Sequence, residues 1–302
     1  MGMEFLQNDE KIVLTSILLT LTILGVITNV FVVYAITSFS RHKDIPSNLF
    51  ILNQAFAHLG NVLSTICYVI HMFYWIWGVV YTIFTFTLFS SLGSLCLMTV
   101  NRLVSVVWPL RYPSKITAHR ANVMVAFVWS VALTFTLLHL LGYAVYSDPN
   151  FFNYGRYYLM LLIVVFIGSN FYMFYLSRKQ SKHISNVLRA VQTGLQQSIR
   201  DDLKCIKTVG MVGITFVMGW FPLIILFFLY GDKKEEKDFQ RFSAFLLPLT
   251  IVNVISDPFI YYVRSSEFRK FYKAWKRKQG LGRLHSTVKI ENAHSLEAFY
   301  VK

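Results

Sequence analysis

Charged residues are scarce in this sequence. Asp, Glu, Lys and Arg make up only 15% of its 302 residues, whereas an average soluble domain carries about 25%. Hydrophobic residues account for 55% of the chain and aromatic residues for 17%. This composition excludes disordered and collagen-like chains and does not suit a water-soluble protein of this size. The net charge of +14 would fit a nucleic-acid partner, but so apolar a chain is predicted to lie in a membrane instead.

Cysteine is scarce too, and its spacing carries no metal or redox motif. Cys67, Cys96 and Cys205 lie in or beside apolar runs, where free cysteine is commonly reduced and buried. No pair has the Cys-x-x-Cys spacing of zinc or redox sites, and the sequence has no Asn-x-Ser/Thr glycosylation sequon. We therefore predict no metal site and no cofactor.

Long runs without any charge give the predicted architecture. A helix needs about 20 apolar residues to cross a bilayer. The five longest runs are Ile12–Phe39, Ile45–Asn101, Ala121–Ser147, Tyr157–Ser177 and Thr208–Gly231. The second of them is long enough for two helices, which we expect to separate within His71–Gly78. A last run, Phe242–Val263, is interrupted only by Asp257. The sequence thus predicts an all-α bundle of seven membrane-spanning helices.

Lys and Arg are unevenly distributed among the connecting segments. With the N-terminus outside the cell, 23 of the 29 fall in the inner segments, as the positive-inside rule requires. We therefore expect a multi-pass membrane protein with a cytoplasmic C-terminus. Its predicted organisation is an extracellular segment 1–11, a seven-span domain 12–263, and a cytoplasmic eighth helix and tail 264–302.

Few ionisable residues lie at membrane depth. They are His58, Arg102 and Asp257. Such residues are energetically costly in hydrocarbon and are functional candidates for that reason. A transporter would need a chain of them, and a pore would need a polar stripe along several helices. A few isolated polar groups in an apolar bundle favour a conformational switch.

Several short motifs follow one another in the predicted spans. They are Gly25–Asn29, Asn53–Leu59, Asn101-Arg102-Leu103 with Trp108–Tyr112, Trp129, Phe216–Pro222, and Asp257-Pro258-Phe259-Ile260-Tyr261. Because of these residues, the chain from Asn29 to Phe268 resembles the rhodopsin-like (class A) G-protein-coupled receptors. The resemblance implies a heterotrimeric G protein as the partner. It also implies arrestin and a receptor kinase as further partners at the tail.

The resemblance further implies a set of residues for the activation switch and G-protein coupling. They are Asn101, Arg102, Leu103, Trp220, Pro222, Asp257, Pro258 and Tyr261. Pro222 and Pro258 remove helix hydrogen bonds and can kink their helices. Two simpler interpretations stay open: the prolines are static irregularities, and Arg102 is only a snorkelling basic residue at the inner surface.

Three departures from the family pattern are informative. Trp77 stands where the family usually has a disulfide-forming cysteine, and this favours the melanocortin, lysophospholipid, cannabinoid and adenosine-like branch. Asn101 replaces the carboxylate that restrains Arg102 in resting receptors, so we expect elevated basal signalling. His58 replaces the aspartate that holds an allosteric sodium ion.

The other positions of that modified sodium-site region keep the residue types of the family: Ser91, Asn253 and Asp257. Our hypothesis is that His58 pairs with Asp257 and that its imidazolium substitutes for sodium. A neutral histidine that only forms hydrogen bonds in the bundle is the alternative.

The outer ends of the predicted spans supply the candidate ligand pocket. Its residues are Tyr68, His71, Tyr81, Phe84, Leu88, Trp220, Leu223, Ile224, Phe227, Leu247 and Ile251. Phe84 takes the place of the aspartate of aminergic receptors, and Ile251 that of the retinal-binding lysine of opsins. An apolar, aromatic wall favours a neutral or lipid-like ligand, although a peptide that binds charges at Asp232–Arg241 stays possible.

The predicted cytoplasmic segments are basic and amphipathic. Apolar residues recur at helical spacing between Ile184 and Ile206 among Lys and Arg side chains. Phe268–Trp275 fits an amphipathic surface helix, and both segments could contact anionic lipids of the inner leaflet. We interpret the chain as a receptor without catalytic activity. The alternatives are a non-signalling decoy or scaffold receptor and a small membrane transporter.

Overall fold

The computed structural model describes residues 6–38, 45–74, 77–108, 111–141, 160–161, 163–172, 175–176, 211, 213–226, 228–229, 237–264 and 277. The chain divides into two compact units, Met1–Ile260 and Tyr261–Lys302. In the second unit only 261–264 and 277 are described, so the predicted eighth helix at Phe268–Trp275 lies outside the described residues. The same holds for the predicted cytoplasmic extensions between Ile184 and Ile206.

The described residues form helices and no strands. The helices are α1 (Asn8–Ser38), α2 (Pro46–Phe73), α3 (Trp77–Val107), α4 (Tyr112–Lys115), α5 (Ala118–Leu141), α6 (Ile163–Tyr172), α7 (Gly213–Leu226) and α8 (Lys237–Arg264). Five of them, α1, α2, α3, α5 and α8, contain stretches long and apolar enough to cross a membrane. The shorter α6 and α7 fall in the fifth and sixth predicted spans. The all-α membrane bundle expected from the sequence is confirmed.

The longest uncharged run divides into two helices where the sequence predicts. Pro46 lies in the first turn of α2, where its missing N–H is not needed for a helix hydrogen bond. The helix ends at Phe73, and the N–H of Tyr74 donates to the Ile70 carbonyl at 2.9 Å. The next helix begins at Trp77, so the break lies within the predicted stretch.

Many large apolar side chains point away from the bundle. Phe127, Met218 and Phe259 are each about two-thirds exposed or more, and exposed apolar side chains recur along α1, α2, α5 and α8. In a membrane the acyl chains cover such faces, so the exposure is not an aggregation liability. Burial is greatest in α3, and α2 and α8 follow it equally.

Helix α2 is the centre of the packing, since it contacts α1, α3 and α5. One apolar cluster joins α1, α2 and α8: Leu6, Leu14, Leu18, Val69, Met72, Ala244 and Leu247. A second cluster lies toward the other end of α2 and α3: Phe50, Leu97, Ile116 and Ala121. Between the two clusters, buried polar side chains of α2, α3 and α8 lie among apolar ones.

Helices α1 and α8 are tied together at two levels. The Arg241 guanidinium donates to the Glu10 carboxylate near the start of both helices. Deeper in the bundle, the Asn29 amide donates to the Val254 carbonyl at 3.1 Å. The first pair is partly exposed and contributes little. The second contact is buried and fixes the height of α8 against α1.

Helices α7 and α8 approach closely at Gly219. A Cβ atom at this position would lie 2.9 Å from the Asn253 Cβ and 3.0 Å from the Leu249 carbonyl oxygen. The backbone of α8 cannot move aside as a flexible side chain could, so this contact needs a residue without a Cβ atom. The glycine therefore sets Trp220, its neighbour in the chain, at the level of Asn253.

Candidate functional site in the middle of the bundle

A buried histidine–carboxylate pair joins α2 and α8. The Nε2 atom of His58 lies 2.9 Å from the Oδ2 atom of Asp257, and the two side chains are 1% and 0% exposed. This is the contact that the sequence predicts for the two residues. Ionisable groups are tolerated at membrane depth when they pair with each other. The two residues are 199 positions apart in the chain, so the pair joins two distant segments.

Further polar side chains surround this pair. The Gln54 Nε2 atom lies 3.2 Å from the same imidazole nitrogen and donates to the Ser91 hydroxyl at 3.5 Å. On the other side, the Asn253 amide donates to the Thr215 hydroxyl at 3.5 Å. The cluster therefore connects α2, α3, α7 and α8. Ser91 and Asn253 lie in it as the family pattern implies.

Several buried polar atoms of the cluster are unused. Within the described part of the chain, His58 Nδ1, Asp257 Oδ1, Gln54 Oε1 and Asn253 Oδ1 have no hydrogen-bond partner. Unsatisfied buried atoms cost free energy and are rare in native interiors. The cluster is thus only partly satisfied in this arrangement, which is the property expected of a group that can exchange partners.

The histidine makes the cluster a poor sodium site, even though three oxygen atoms of the cluster are unused. Sodium is a hard cation and is bound by several oxygen ligands with a nearby negative charge. Here the His58 Nε2 atom stands 2.9 Å from Asp257 Oδ2, the oxygen of this carboxylate that has a partner among the described residues. Histidine offers no oxygen ligand, and its N–H competes with a cation for that carboxylate.

Near the C-terminal end of α3, the amide of Asn101 stands where the family pattern has a carboxylate. The Tyr112 hydroxyl donates to the Asn101 Oδ1 atom at 2.9 Å, and Asn101 is fully buried. Arg102 and Leu103 are partly buried. Among the described residues, Asn101 Nδ2 and Arg102 Nε have no partner. The Asn101 oxygen is therefore engaged by a tyrosine and does not restrain Arg102.

An aromatic chain links the polar cluster to the predicted pocket. The Trp220 ring lies 6.1 Å from the Phe84 ring and 6.2 Å from the Phe216 ring between centroids. Pro222 follows within α7 and is partly buried, and Pro258 is buried within α8. Tyr261 belongs to α8, but its side chain lies outside the described residues.

The structure brings part of the predicted pocket together. Tyr68 and Phe84 pack against the cluster that contains Leu247, and the Tyr68 and His71 rings are 6.4 Å apart. Other predicted members are buried on their helices: Leu88, Leu223, Ile224 and Ile251. The side chains of Tyr81 and Phe227 lie outside the described residues.

Two residues of the site were not predicted as such. Gln54 precedes His58 by one helical turn, and this spacing places both on one face. Tyr112 follows Asn101 in a short helix, and no local pattern predicts that its hydroxyl folds back onto the amide. Trp129 joins α5 to α2, since its indole N–H donates to the Asn53 Oδ1 atom at 2.6 Å.

The described helices and their buried polar cluster define a multi-pass membrane protein of the seven-helix receptor class. A model of the family described as 7 transmembrane receptor (rhodopsin family) matches residues 28–261. The chain belongs to this family and is a receptor, not an enzyme.

Curated relatives are similar along nearly the whole chain. Rat cannabinoid receptor 2 is 28% identical over 93% of this chain and 86% of its own length. Human cannabinoid receptor 2 is 25% identical over 87% and 78%. Human alpha-1A adrenergic receptor is 23% identical over 93% and 71%. The cannabinoid receptors agree with the branch that the family departures favour, and the adrenergic receptors show that the likeness extends beyond it.

The histidine–carboxylate pair predicts a characteristic stability pattern. His58→Leu leaves the Asp257 carboxylate buried without its partner, so we expect a loss of about 3–5 kcal/mol. The double variant His58→Leu/Asp257→Leu removes both polar groups and should recover a large part of that loss. Thermal unfolding of the purified receptor measures both. Losses that simply add in the double variant would contradict the pairing.

Proposed function

We propose that the chain is a plasma-membrane receptor that transmits ligand binding near the start of α1 to a heterotrimeric G protein at the Arg102 end of α3. Family membership supports the G-protein partner. The rest of the proposal is supported by the surroundings of Arg102. This residue follows Asn101, whose amide oxygen already accepts a hydrogen bond from Tyr112. In this orientation the N-terminus is extracellular and the C-terminus cytoplasmic.

The ligand that we propose is apolar or lipid-like. The side chains that gather between α2, α3, α7 and α8 are mostly aromatic and aliphatic, among them Tyr68, Phe84, Trp220 and Leu247. Two relatives are named for cannabinoids, and this supports the same class. The adrenergic relatives do not support this ligand class. However, Phe84 has no negative charge with which to bind an amine.

Arrestin, a receptor kinase and anionic lipids complete the proposed partners. Their predicted contacts are the segment between Ile184 and Ile206 and the tail after Arg264, which the structure does not describe except at Arg277. These partners follow from the sequence pattern alone.

The role of Arg102 can be tested by substitution. Arg102→Ala removes the cation that we place at the G-protein interface, so agonist-independent and ligand-driven nucleotide exchange should fall to the level of cells without receptor. The matched control is Arg120→Ala, whose guanidinium donates to the Ser114 and Lys115 carbonyls. It should keep exchange at equal surface expression. A wild-type receptor that gives no exchange with any G-protein class would instead indicate the decoy or scaffold receptor.

Elevated basal activity follows from the amide at position 101. Asn101→Asp restores a charge-assisted contact to Arg102, worth about 1–2 kcal/mol for a partly buried pair. Basal exchange should therefore drop about fivefold to thirtyfold, measured in membranes at matched receptor density. Tyr112→Phe serves as the control, because it removes the hydrogen bond to the Asn101 oxygen without adding a charge. Unchanged basal exchange in Asn101→Asp would refute the missing restraint.

The His58–Asp257 pair also determines the response to sodium. We propose that the imidazole occupies the role of the ion, so sodium chloride should not lower agonist affinity beyond the effect of an equal concentration of choline chloride. His58→Asp supplies a second carboxylate beside Ser91 and Asn253 and should create a saturable sodium effect. A clear, saturable sodium effect in the wild-type receptor would overturn the substitution.

A further inference from the structure

Helix α2 carries a stripe of buried polar side chains on one face. Gln54, His58, Asn61 and Thr65 are spaced four, three and four residues apart, and all are 5% exposed or less. This spacing places them on one side of the helix. The stripe runs from the histidine–carboxylate pair toward Tyr68 and the apolar cluster at the start of α1.

The neighbours of Asn61 fix the direction in which its side chain points. Gly60 faces Thr87 of α3, since a Cβ atom at Gly60 would lie 3.1 Å from the Thr87 methyl group. Val62 faces α1, because its methyl group lies 3.1 Å from the Cβ position of Gly25. Around the helix axis, Asn61 lies between these two directions. His58 does so too, and its side chain contacts α8. The Asn61 amide therefore points into the interior of the bundle.

The amide of Asn61 has an unused hydrogen-bond donor. The side chain is buried, and within the described part of the chain its Nδ2 atom has no partner. The nearby Ser64 and Thr65 hydroxyls donate to the Asn61 backbone carbonyl at 2.8 and 3.0 Å, so they do not satisfy the amide. A buried donor is costly unless it finds an acceptor, and hydrocarbon side chains cannot provide one.

A second unused donor lies in the same layer. In α2, Asn61 lies one turn from His58 on the side toward Tyr68. In α8, Asn253 lies one turn from Asp257 on the same side. Gly219 packs against Asn253, so Trp220 lies at this level as well. The Trp220 Nε1 atom is buried and has no partner in the described residues, and the Trp220 ring contacts Phe84.

We propose that Asn61 Nδ2 and Trp220 Nε1 form the polar floor of the ligand site and bind an acceptor oxygen, a carbonyl or an ether, on an otherwise apolar ligand. The proposal rests on the proposed function and specifies the ligand class. The apolar side chains above this layer take the hydrocarbon part of the ligand. Because a site built to hydrogen-bond a ligand rejects analogues that lack the matching atom, Asn61 determines specificity.

A matched pair of probes tests the proposal. Methyl oleate carries an ester acceptor and no donor, and cis-9-nonadecene has a similar chain without oxygen. The full-length receptor is reconstituted in lipid nanodiscs, and the apparent affinity of each probe is taken from the shift of the unfolding temperature. The ester should bind the wild-type receptor about tenfold or more tightly than the hydrocarbon.

The variants separate recognition from packing. Asn61→Leu has nearly the same size and no donor, so it should lower the preference for the ester, for which the Trp220 donor alone remains, while it leaves hydrocarbon binding intact. Thr65→Val is the control on the same face and should keep the preference. Asn61→Asp replaces the donor by a carboxylate that repels the ester oxygen and should also lower the preference, so it serves if the leucine variant does not fold.

Two results would overturn the subsite: no ester preference in the wild-type receptor, or an equal loss of both probes in Asn61→Leu. The proposed function fails separately. Arg102→Ala should keep the ester preference while it loses G-protein exchange. A wild-type receptor that prefers the ester but never promotes exchange would contradict the signalling function and leave the subsite standing.

Discussion

The structure depends on how polar groups are satisfied where no water is available. In hydrocarbon the helices satisfy their own backbones, and many Ser and Thr hydroxyls donate to a carbonyl of their own helix. The buried imidazole and carboxylate instead depend on a partner on another helix. The 2.9 Å contact between His58 and Asp257 is the central case, because it holds α2 and α8 together at the depth where an unpaired charge would be most costly. The amide contacts from Asn29 and Asn53 to α8 and α5 follow the same rule.

The fold could be predicted from the sequence because length and charge exclusion are local properties. The uncharged runs locate the helices, and the aromatic break between α2 and α3 falls where Tyr74 leaves the helix. The pairing of His58 with Asp257 was predictable from the family pattern, since both occupy corners of one site. The chemistry of that site, in contrast, depends on which atoms remain unused, and no spacing rule supplies this.

The partners of amides are the part that sequence could not provide. Asn101, Asn61 and Asn253 look alike in the chain, yet one accepts from Tyr112, one has a free donor and one donates to Thr215. Each outcome is decided by residues on other helices. An amide carries both donor and acceptor, so its role is fixed only when neighbouring helices offer one or the other.

The arrangement of α7 and α8 explains how one end of the bundle can influence the other. Gly219 allows the backbones to pack tightly beside the polar cluster, while Pro222 and Pro258 weaken the helices on either side of it. The ligand that we propose at Trp220 and Phe84 would act on this junction directly. It shifts the receptor toward an active state only by the difference in its binding free energy between the two packings. A partly satisfied polar cluster makes such a difference attainable, because exchanging hydrogen-bond partners costs less than breaking a saturated network.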